Sequence, residues 1–342
     1  MRCLEIKGSS NLSKLMVGES YKNVEKYLPS SNVVIVADSN VYNLYNDTFP
    51  QYKTIKIDAD EKVKSLDTVS FIINELVEME ADRGLFLLGI GGGIICDVTG
   101  FVASIYMRGV PFGFISSTLL SQVDASVGGK NGVNFKGYKN IVGVFNQPDF
   151  VICDPDMLKT LPDEEILNGC AEVIKHGAIA DKNLFEYLEN NHKAILKLDN
   201  DVIERIVYDS IKIKSDVVNR DEKERGERRI LNFGHTIGHA VEKVTGVSHG
   251  KAVSIGMSAA AGLSESRGIL TQPDKERIIE LIKNLGLPFE LKADKQRILD
   301  AMKRDKKRDG GTIHFVLLHG IGKAVIEDLS IKELEEYFIL TK

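Results

Sequence analysis

Short apolar runs ending in turn residues recur through the first half of the chain. Asn32–Asn40 (NVVIVADSN), Gly84–Gly93 (GLFLLGIGGG), Pro111–Ser117 (PFGFISS) and Phe150–Pro155 (FVICDP) each predict a buried parallel strand. Ser65–Met79 (SLDTVSFIINELVEM) has helical spacing. Alternating strands and helices predict a parallel sheet with helices on both faces. The period changes after about Thr160. LPDEEILNGCAEVIKHGAI opens with Pro162 and three acidic residues, a helix-start signal, and helical period then runs to about Lys307. Ile313–Leu318 (IHFVLL) predicts one late strand. No internal repeat or low-complexity segment interrupts the pattern. The expected architecture is an α/β, Rossmann-like nucleotide-binding domain over residues 1–157 and a mostly helical domain over 158–342. A cleft between two such domains is a common ligand site.

Bulk properties narrow the function classes. The 342 residues are 43% hydrophobic and 27% charged, ordinary for a globular protein, and suggest about two domains. A net charge of −5 gives no reason to expect a nucleic-acid partner. Cys3, Cys96, Cys153 and Cys170 are widely spread, without a C-x-x-C pair, which suits a reducing cytoplasm rather than a disulfide framework. MRCLEIKGSSN lacks the apolar stretch of a signal peptide, and no run approaches 18 apolar residues, so neither secretion nor a membrane span is expected.

Three segments carry candidate chemistry. In LLGIGGGIICDVTGFVAS, Gly91, Gly92 and Gly93 follow a strand and open a helix. Such a turn lets backbone approach a phosphate, and the helix start favours negative charge. The spacing is not G-x-G-x-x-G, so the ordinary dinucleotide fingerprint is absent. The strand–turn–helix context still favours a phosphate or dinucleotide over a bare turn.

In Leu231–Met257, His235, His239 and Glu242 stand at i, i+4 and i+7 on one helical face, and His249 follows a turn. Glu172 lies in AEVIKHG with Lys175 three residues on. Two imidazoles and a carboxylate make a usual catalytic-metal set. A single histidine is more often a hydrogen-bonded core or surface residue, but the cluster favours a metal. Spacing alone ranks His235 and His239 as the first pair, and H-x-x-x-H without a following Glu is not the zincin motif. The third segment, Thr118–Pro148, is rich in Gly, Asn and Lys and predicts turns around Lys130, Lys139 and Asn140. With Arg108, Lys175, Lys214 and Arg228 these side chains suit an anionic substrate, although any one of them alone is better taken as solvated surface. Lys303–Gly311 (KRDKKRDGG) predicts a surface or site loop before a strand.

Taken together, GGGIICDVTGFVAS, YMRGVPF, STLLSQVDASVGGK, YKNIVGVFNQP, LKTLP, AEVIKHG, DEKERGERRILNFGHTIGHA and HGKAVSIGM resemble the 3-dehydroquinate synthase family, within the sugar phosphate cyclases, from about Val33 to Leu318. The resemblance implies a lyase of the shikimate pathway dependent on NAD and a divalent metal, zinc or cobalt. It would turn 3-deoxy-D-arabino-heptulosonate 7-phosphate into 3-dehydroquinate and phosphate. The implied chemistry is transient oxidation of a carbinol, phosphate elimination, re-reduction, ring opening and intramolecular aldol closure. A cytoplasmic homodimer is implied as well.

Carried over by motif, the metal ligands fall on Glu172, His235 and His249, which changes the pair ranked by spacing and gives His239 a substrate role. NAD contacts fall on Asp38, Asn40, Glu61, Lys64, Gly92, Gly93, Ile94, Asp97, Ser117, Thr118, Lys130, Lys139, Thr160 and Leu161. Lys130, Lys139, Asn140, Arg228 and His239 would face the phosphate. Lys175, Lys214 and Asn232 would hold the carboxylate and hydroxyls. Arg108, Asp124 and Lys306 complete the implied substrate set, with Lys307 the alternative to Lys306. The chain departs from the family pattern at Ser116-Ser117 (usually Pro-Thr), Asn131 (usually Thr), the NFKGYKN loop, His176 (usually Tyr) and Lys251, where an acidic residue is usual and a positive charge would come near the metal. The rival readings are a cyclase acting on sedoheptulose 7-phosphate or glucose 6-phosphate, a metal-dependent polyol dehydrogenase, and a non-catalytic NAD-binding protein.

Overall fold

All four apolar runs become neighbouring strands of one sheet in the computed structural model, which describes residues 1–8, 11–292, 294–306 and 312–340. The first nine strands are β1 (Arg2–Lys7), β2 (Leu12–Val17), β3 (Val33–Asp38), β4 (Lys53–Ile57), β5 (Phe86–Gly91), β6 (Phe112–Ser116), β7 (Lys130–Phe135), β8 (Tyr138–Phe145) and β9 (Phe150–Cys153). The sheet order is β1-β2-β9-β6-β5-β3-β4, parallel throughout except for the antiparallel edge strand β1. The central strand β5 is buried along its whole length, as a parallel strand covered on both faces must be. Three helices alternate with these strands: α1 (Ser39–Tyr45), α2 (Leu66–Glu78) and α3 (Gly93–Ile105). Ser65 caps α2 by accepting from the Thr68 amide at 3.3 Å, and Val69, Ile72 and Leu76 form its buried stripe.

Sheet order matters for function. From β3 the chain moves outward to β4, then returns to the other side of β3 with β5. The strand order therefore reverses between β3 and β5. Open parallel sheets bind ligands beyond the carboxyl ends of the strands at such a point. Asp38 ends β3, and Gly91 ends β5.

Thr118–Pro148 does not fold as successive turns. It contains the antiparallel hairpin β7–β8, with Phe135 opposite Tyr138 across Lys136-Gly137. Both linking residues have positive φ, 48° and 80°, as a two-residue hairpin turn requires. Lys130 thus starts β7, and Lys139 and Asn140 lie on β8. The edge strands β1 and β4, and β2 next to β1, also lack the apolar continuity that marks the central strands.

The remaining elements are α4 (Asp163–Ala180), α5 (Lys182–Leu196), α6 (Asn200–Arg220), α7 (His235–Thr245), α8 (His249–Ser266), α9 (Gln272–Asn284), α10 (Lys295–Lys306), the hairpin β10 (Thr312–Leu318) and β11 (Ala324–Ser330), and α11 (Ile331–Leu340). The predicted late strand is therefore the first strand of a hairpin. Packing divides the chain into two units, Met1–Pro162 with Ile203–Lys223, and Asp163–Val202 with Glu224–Lys342. A single break at 157/158 does not describe this division, because most of α6 belongs to the first unit. Among the described residues, no helix is long and apolar enough to cross a membrane.

Candidate active site

In the second unit, glycines let the histidine-bearing helices α7 and α8 approach closely. A Cβ on Gly256 would lie 1.9 Å from the Gly234 carbonyl oxygen, and one on Gly238 would lie 3.0 Å from that of Ala252. His235 is the first residue of α7, His239 stands one turn on, and His249 is the first residue of α8. Glu172, in the middle of α4, is fully buried. Its Oε1 lies 3.1 Å from His249 Nε2 and 3.5 Å from His235 Nε2. The three residues each offer a ligand atom within 4.8 Å of the others. The His239 ring is 5.3 Å from that of His235 and 6.4 Å from that of His249, centroid to centroid, and His239 joins no such donor group among the described residues.

The electrostatics suit a cation. Burial opposes the charge on Glu172, but Lys175, His235 and His249 outweigh it and hold the carboxyl well below the usual range. Lys175, one turn along α4 and almost fully buried, forms an ion pair with Glu172. Burial likewise depresses His235, to about 3, because the pull of Glu172 is smaller and Lys175 opposes it. The neutral ring can donate from Nδ1 to the Phe233 carbonyl at 3.1 Å, leaving the Nε2 lone pair on the Glu172 side. His249 goes the other way. Burial lowers it, but Glu172 and Glu242 together raise it to about 9. Glu242 Oε2 stands 3.8 Å from His249 Nδ1.

Arg228 is buried on the turn before α7, and Asn232 donates to Glu224 Oε1 at 2.8 Å. His176 is fully buried. Lys251 does not present a free charge: its ammonium donates to Glu164 Oε1 at 2.7 Å on the outer side of α4. Lys306 ends α10, but its side chain, like all of Lys307, lies outside the described residues.

In the first unit, the glycine turn lies at the switch point. Gly92 precedes α3, and a Cβ there would sit 2.9 Å from Thr118 Cγ2, while one on Gly93 would sit 2.9 Å from Ala125 Cβ. Close packing against Thr118 and Ala125 therefore keeps both positions free of side chains, and Ile94 leads from the turn into α3. Asp97, on the second turn of α3, pairs with buried Lys64. Burial raises the Asp97 carboxyl, with Lys64 acting against it. Thr118 and Ser121 fix each other by reciprocal bonds of 3.2 and 3.1 Å. Ser117 Oγ is buried without a hydrogen-bond partner. Across the switch point, Asp38 caps α1 by accepting from the Asn40 amide at 2.8 Å. Thr160 bonds Tyr45 at 2.8 Å, next to Leu161.

Asn134 organises the hairpin. Its amide donates to Glu61 Oε1 at 2.7 Å and its oxygen accepts from the Asn140 backbone at 2.9 Å. Lys139 Nζ lies 3.8 Å from Glu61. Lys214, buried on α6, donates to the backbone and side-chain oxygens of Asp124, both at 2.6 Å. Lys130 is exposed at the hairpin base, and Arg108 is exposed in a run of three left-handed residues, Met107 to Gly109. Sequence pattern does not reveal Asn134, because a polar residue before a hairpin turn carries no periodic signal.

Known structures share this architecture. A structure of 2-epi-5-epi-valiolone synthase from Streptomyces hygroscopicus subsp. jinggangensis 5008 with NAD+ and Zn2+ bound is 26% identical, with a TM-score of 0.88 over 99% of this chain and 98% of that one. A 2-deoxy-scyllo-inosose synthase complexed with carbaglucose-6-phosphate, NAD+ and Co2+ is 24% identical, with a TM-score of 0.88 over 98% of both chains, a likeness of fold. The fold is that of the sugar phosphate cyclases. The models for the N-terminal and C-terminal parts of 3-dehydroquinate synthase match residues 54–168 and 169–308. A 3-dehydroquinate synthase of Thermoanaerobacter pseudethanolicus is 42% identical over 323 residues, 91% of each chain. The chain belongs to the 3-dehydroquinate synthase family.

Proposed function

We propose that this chain converts 3-deoxy-D-arabino-heptulosonate 7-phosphate to 3-dehydroquinate and phosphate, as an NAD- and metal-dependent carbon–oxygen lyase. The observation that carries the proposal is the 42% identity to a relative of that name over 91% of both chains. The cluster of buried Glu172 with part-buried His235 and His249 makes it chemically concrete.

The donor set fits a divalent metal. Tetrahedral coordination with bonds of about 2.0–2.1 Å has donor–donor edges of about 3.3–3.4 Å. The distances from Glu172 Oε1 to the two imidazole nitrogens, 3.1 and 3.5 Å, bracket that value. Zinc or cobalt is the proposed metal, as in the two solved neighbours. A bound metal supplies Lewis acidity toward a substrate hydroxyl. The side-chain-free glycine turn at Gly92 and Gly93, opening α3 at the switch point, and the orphaned Ser117 hydroxyl fit a dinucleotide, with Asp38, Asn40, Glu61, Lys64, Ile94, Asp97, Thr118, Lys130, Lys139, Thr160 and Leu161 as further contacts. NAD supplies a reversible hydride acceptor.

The chain's own residues bind and orient. Lys130, Lys139, Asn140, Arg228 and His239 hold the phosphate end. A leaving phosphate is a competent acceptor for the proton of the neighbouring carbon, so these side chains need only place it there. Lys175, Lys214 and Asn232 hold the carboxylate and hydroxyls, Lys214 being aimed by Asp124. Arg108 and Lys306 complete the substrate set. Fixing a flexible seven-carbon chain matters because several steps share one site. We also propose a cytoplasmic location, consistent with four free cysteines, and a homodimer, as the family resemblance implies.

The test is turnover with three sugar phosphates as sole substrates, by purified metal- and NAD+-loaded protein. Phosphate release from the heptulosonate phosphate is expected. Preference for sedoheptulose 7-phosphate or glucose 6-phosphate overturns the assignment in favour of another cyclase.

A further inference from the structure

His249 occupies a weak position for a ligand. It is the first residue of α8, where backbone amides lack partners and helices fray, and the preceding Ser248 makes no side-chain capping bond. The missing acceptor comes from α4. Asn168 is buried, and its Oδ1 accepts from the Gly250 amide at 3.0 Å. The amide orientation is set by its own helix, because Asn168 Nδ2 donates to Glu165 Oε2 at 3.3 Å. The backbones touch here. A Cβ on Gly250 would lie 2.5 Å from Asn168 Cα. Asn168 stands one helical turn before Glu172, at i and i+4, so the residue that caps α8 and the carboxylate that faces His249 share one helix face. At the solvent side, Lys251 and Glu164 close a second link between the same two helices, 2.7 Å long.

We propose that Asn168 is a positioning residue for the metal site. It supplies in trans the cap that α8 lacks and so sets His249 at its distance from Glu172 before any metal arrives. This rests on the metal-site reading above. Changing a group that orients a metal ligand typically costs 10–100-fold in metal affinity.

The test compares full-length parent, Asn168→Leu, which keeps volume without the acceptor, and Asn168→Asp, which keeps the acceptor. Zn2+ affinity is measured by chelator competition, the visible spectrum is recorded with Co2+, and metal-free melting is followed in parallel. Asn168→Leu should bind Zn2+ at least about tenfold more weakly and show an altered Co2+ spectrum, and Asn168→Asp should recover most of both. If Asn168→Leu does not fold, Asn168→Ser, whose hydroxyl is too short to reach, is held to the same expectation. Parent-like Zn2+ affinity and spectrum in the acceptor-less variant, with only melting lowered, overturns the proposal and leaves Asn168 a plain structural contact. Failure of the parent itself to bind Zn2+ or Co2+ contradicts the underlying metal site instead, so the two failures are distinguishable.

Discussion

At the residue scale, a single carboxylate oxygen of Glu172 faces two imidazoles of opposite character. His235 is held neutral by burial, and His249 is held protonated by Glu172 and Glu242 up to about 9. A metal entering this site must displace the His249 proton. Affinity should therefore rise with pH, roughly tenfold per unit for one proton, and level off above about 9. At pH 7, calorimetry in buffers of different ionisation enthalpy should show about one proton released per metal bound. A pH-independent affinity contradicts the assignment. In the metal-free protein the sign of the stability effect follows from the raised value. His249 stabilises the fold fully below its ordinary 6.5, and that contribution fades as pH climbs through about 9. Local period alone read this chemistry only in part, and Glu172 and His249 entered through the family motifs. Helical spacing finds His235 and His239 because periodicity is local. Glu172 and His249 come from two other helices, and only packing brings their ligand atoms within 4.8 Å of His235. The charge of Lys251 is likewise settled by Glu164, which no local pattern pairs with it.

At the element scale, close approach depends on residues that have no side chain. Gly256→Ala would drive a Cβ into the Gly234 carbonyl, 1.9 Å away. Separating α7 from α8 should cost about 1–3 kcal/mol in chemical denaturation, as overpacking typically does, and weaken metal binding along with stability. Gly92→Ala should behave differently. Its φ of −78° suits any residue, so the fold should persist. The new Cβ would meet Thr118 at 2.9 Å and push the turn and that side chain apart, so NAD+ affinity, followed by fluorescence titration, should fall on the order of tenfold with metal content unchanged. Equal loss of both ligands would contradict the separate roles given to the two segments. Central strands were legible because buried parallel strands are continuous apolar runs. The hairpin β7–β8 was not, because Gly and Asn break up the apolar positions of both strands, and burial does not follow polarity: Asn131 is buried on β7 while Ile141 is exposed on β8.

At the scale of the whole molecule, the α/β and helical classes were legible from the change of period near Thr160. The membership of α6 was not: its period marks a helix, not the unit it packs in, and Ile203–Lys223 joins the first unit. That return places Lys214 in the same unit as Asp124, which accepts its bonds at 2.6 Å. A cyclase of this kind regenerates NAD+ in each turnover, whereas a polyol dehydrogenase on a related architecture accumulates NADH. The most direct measurement follows inorganic phosphate and NADH absorbance together, with purified protein, a divalent metal, NAD+ and 3-deoxy-D-arabino-heptulosonate 7-phosphate. Many phosphates should be released per active site with no net NADH. Absence of phosphate release by metal-loaded protein, or NADH formed in step with substrate consumed, would contradict the proposed reaction.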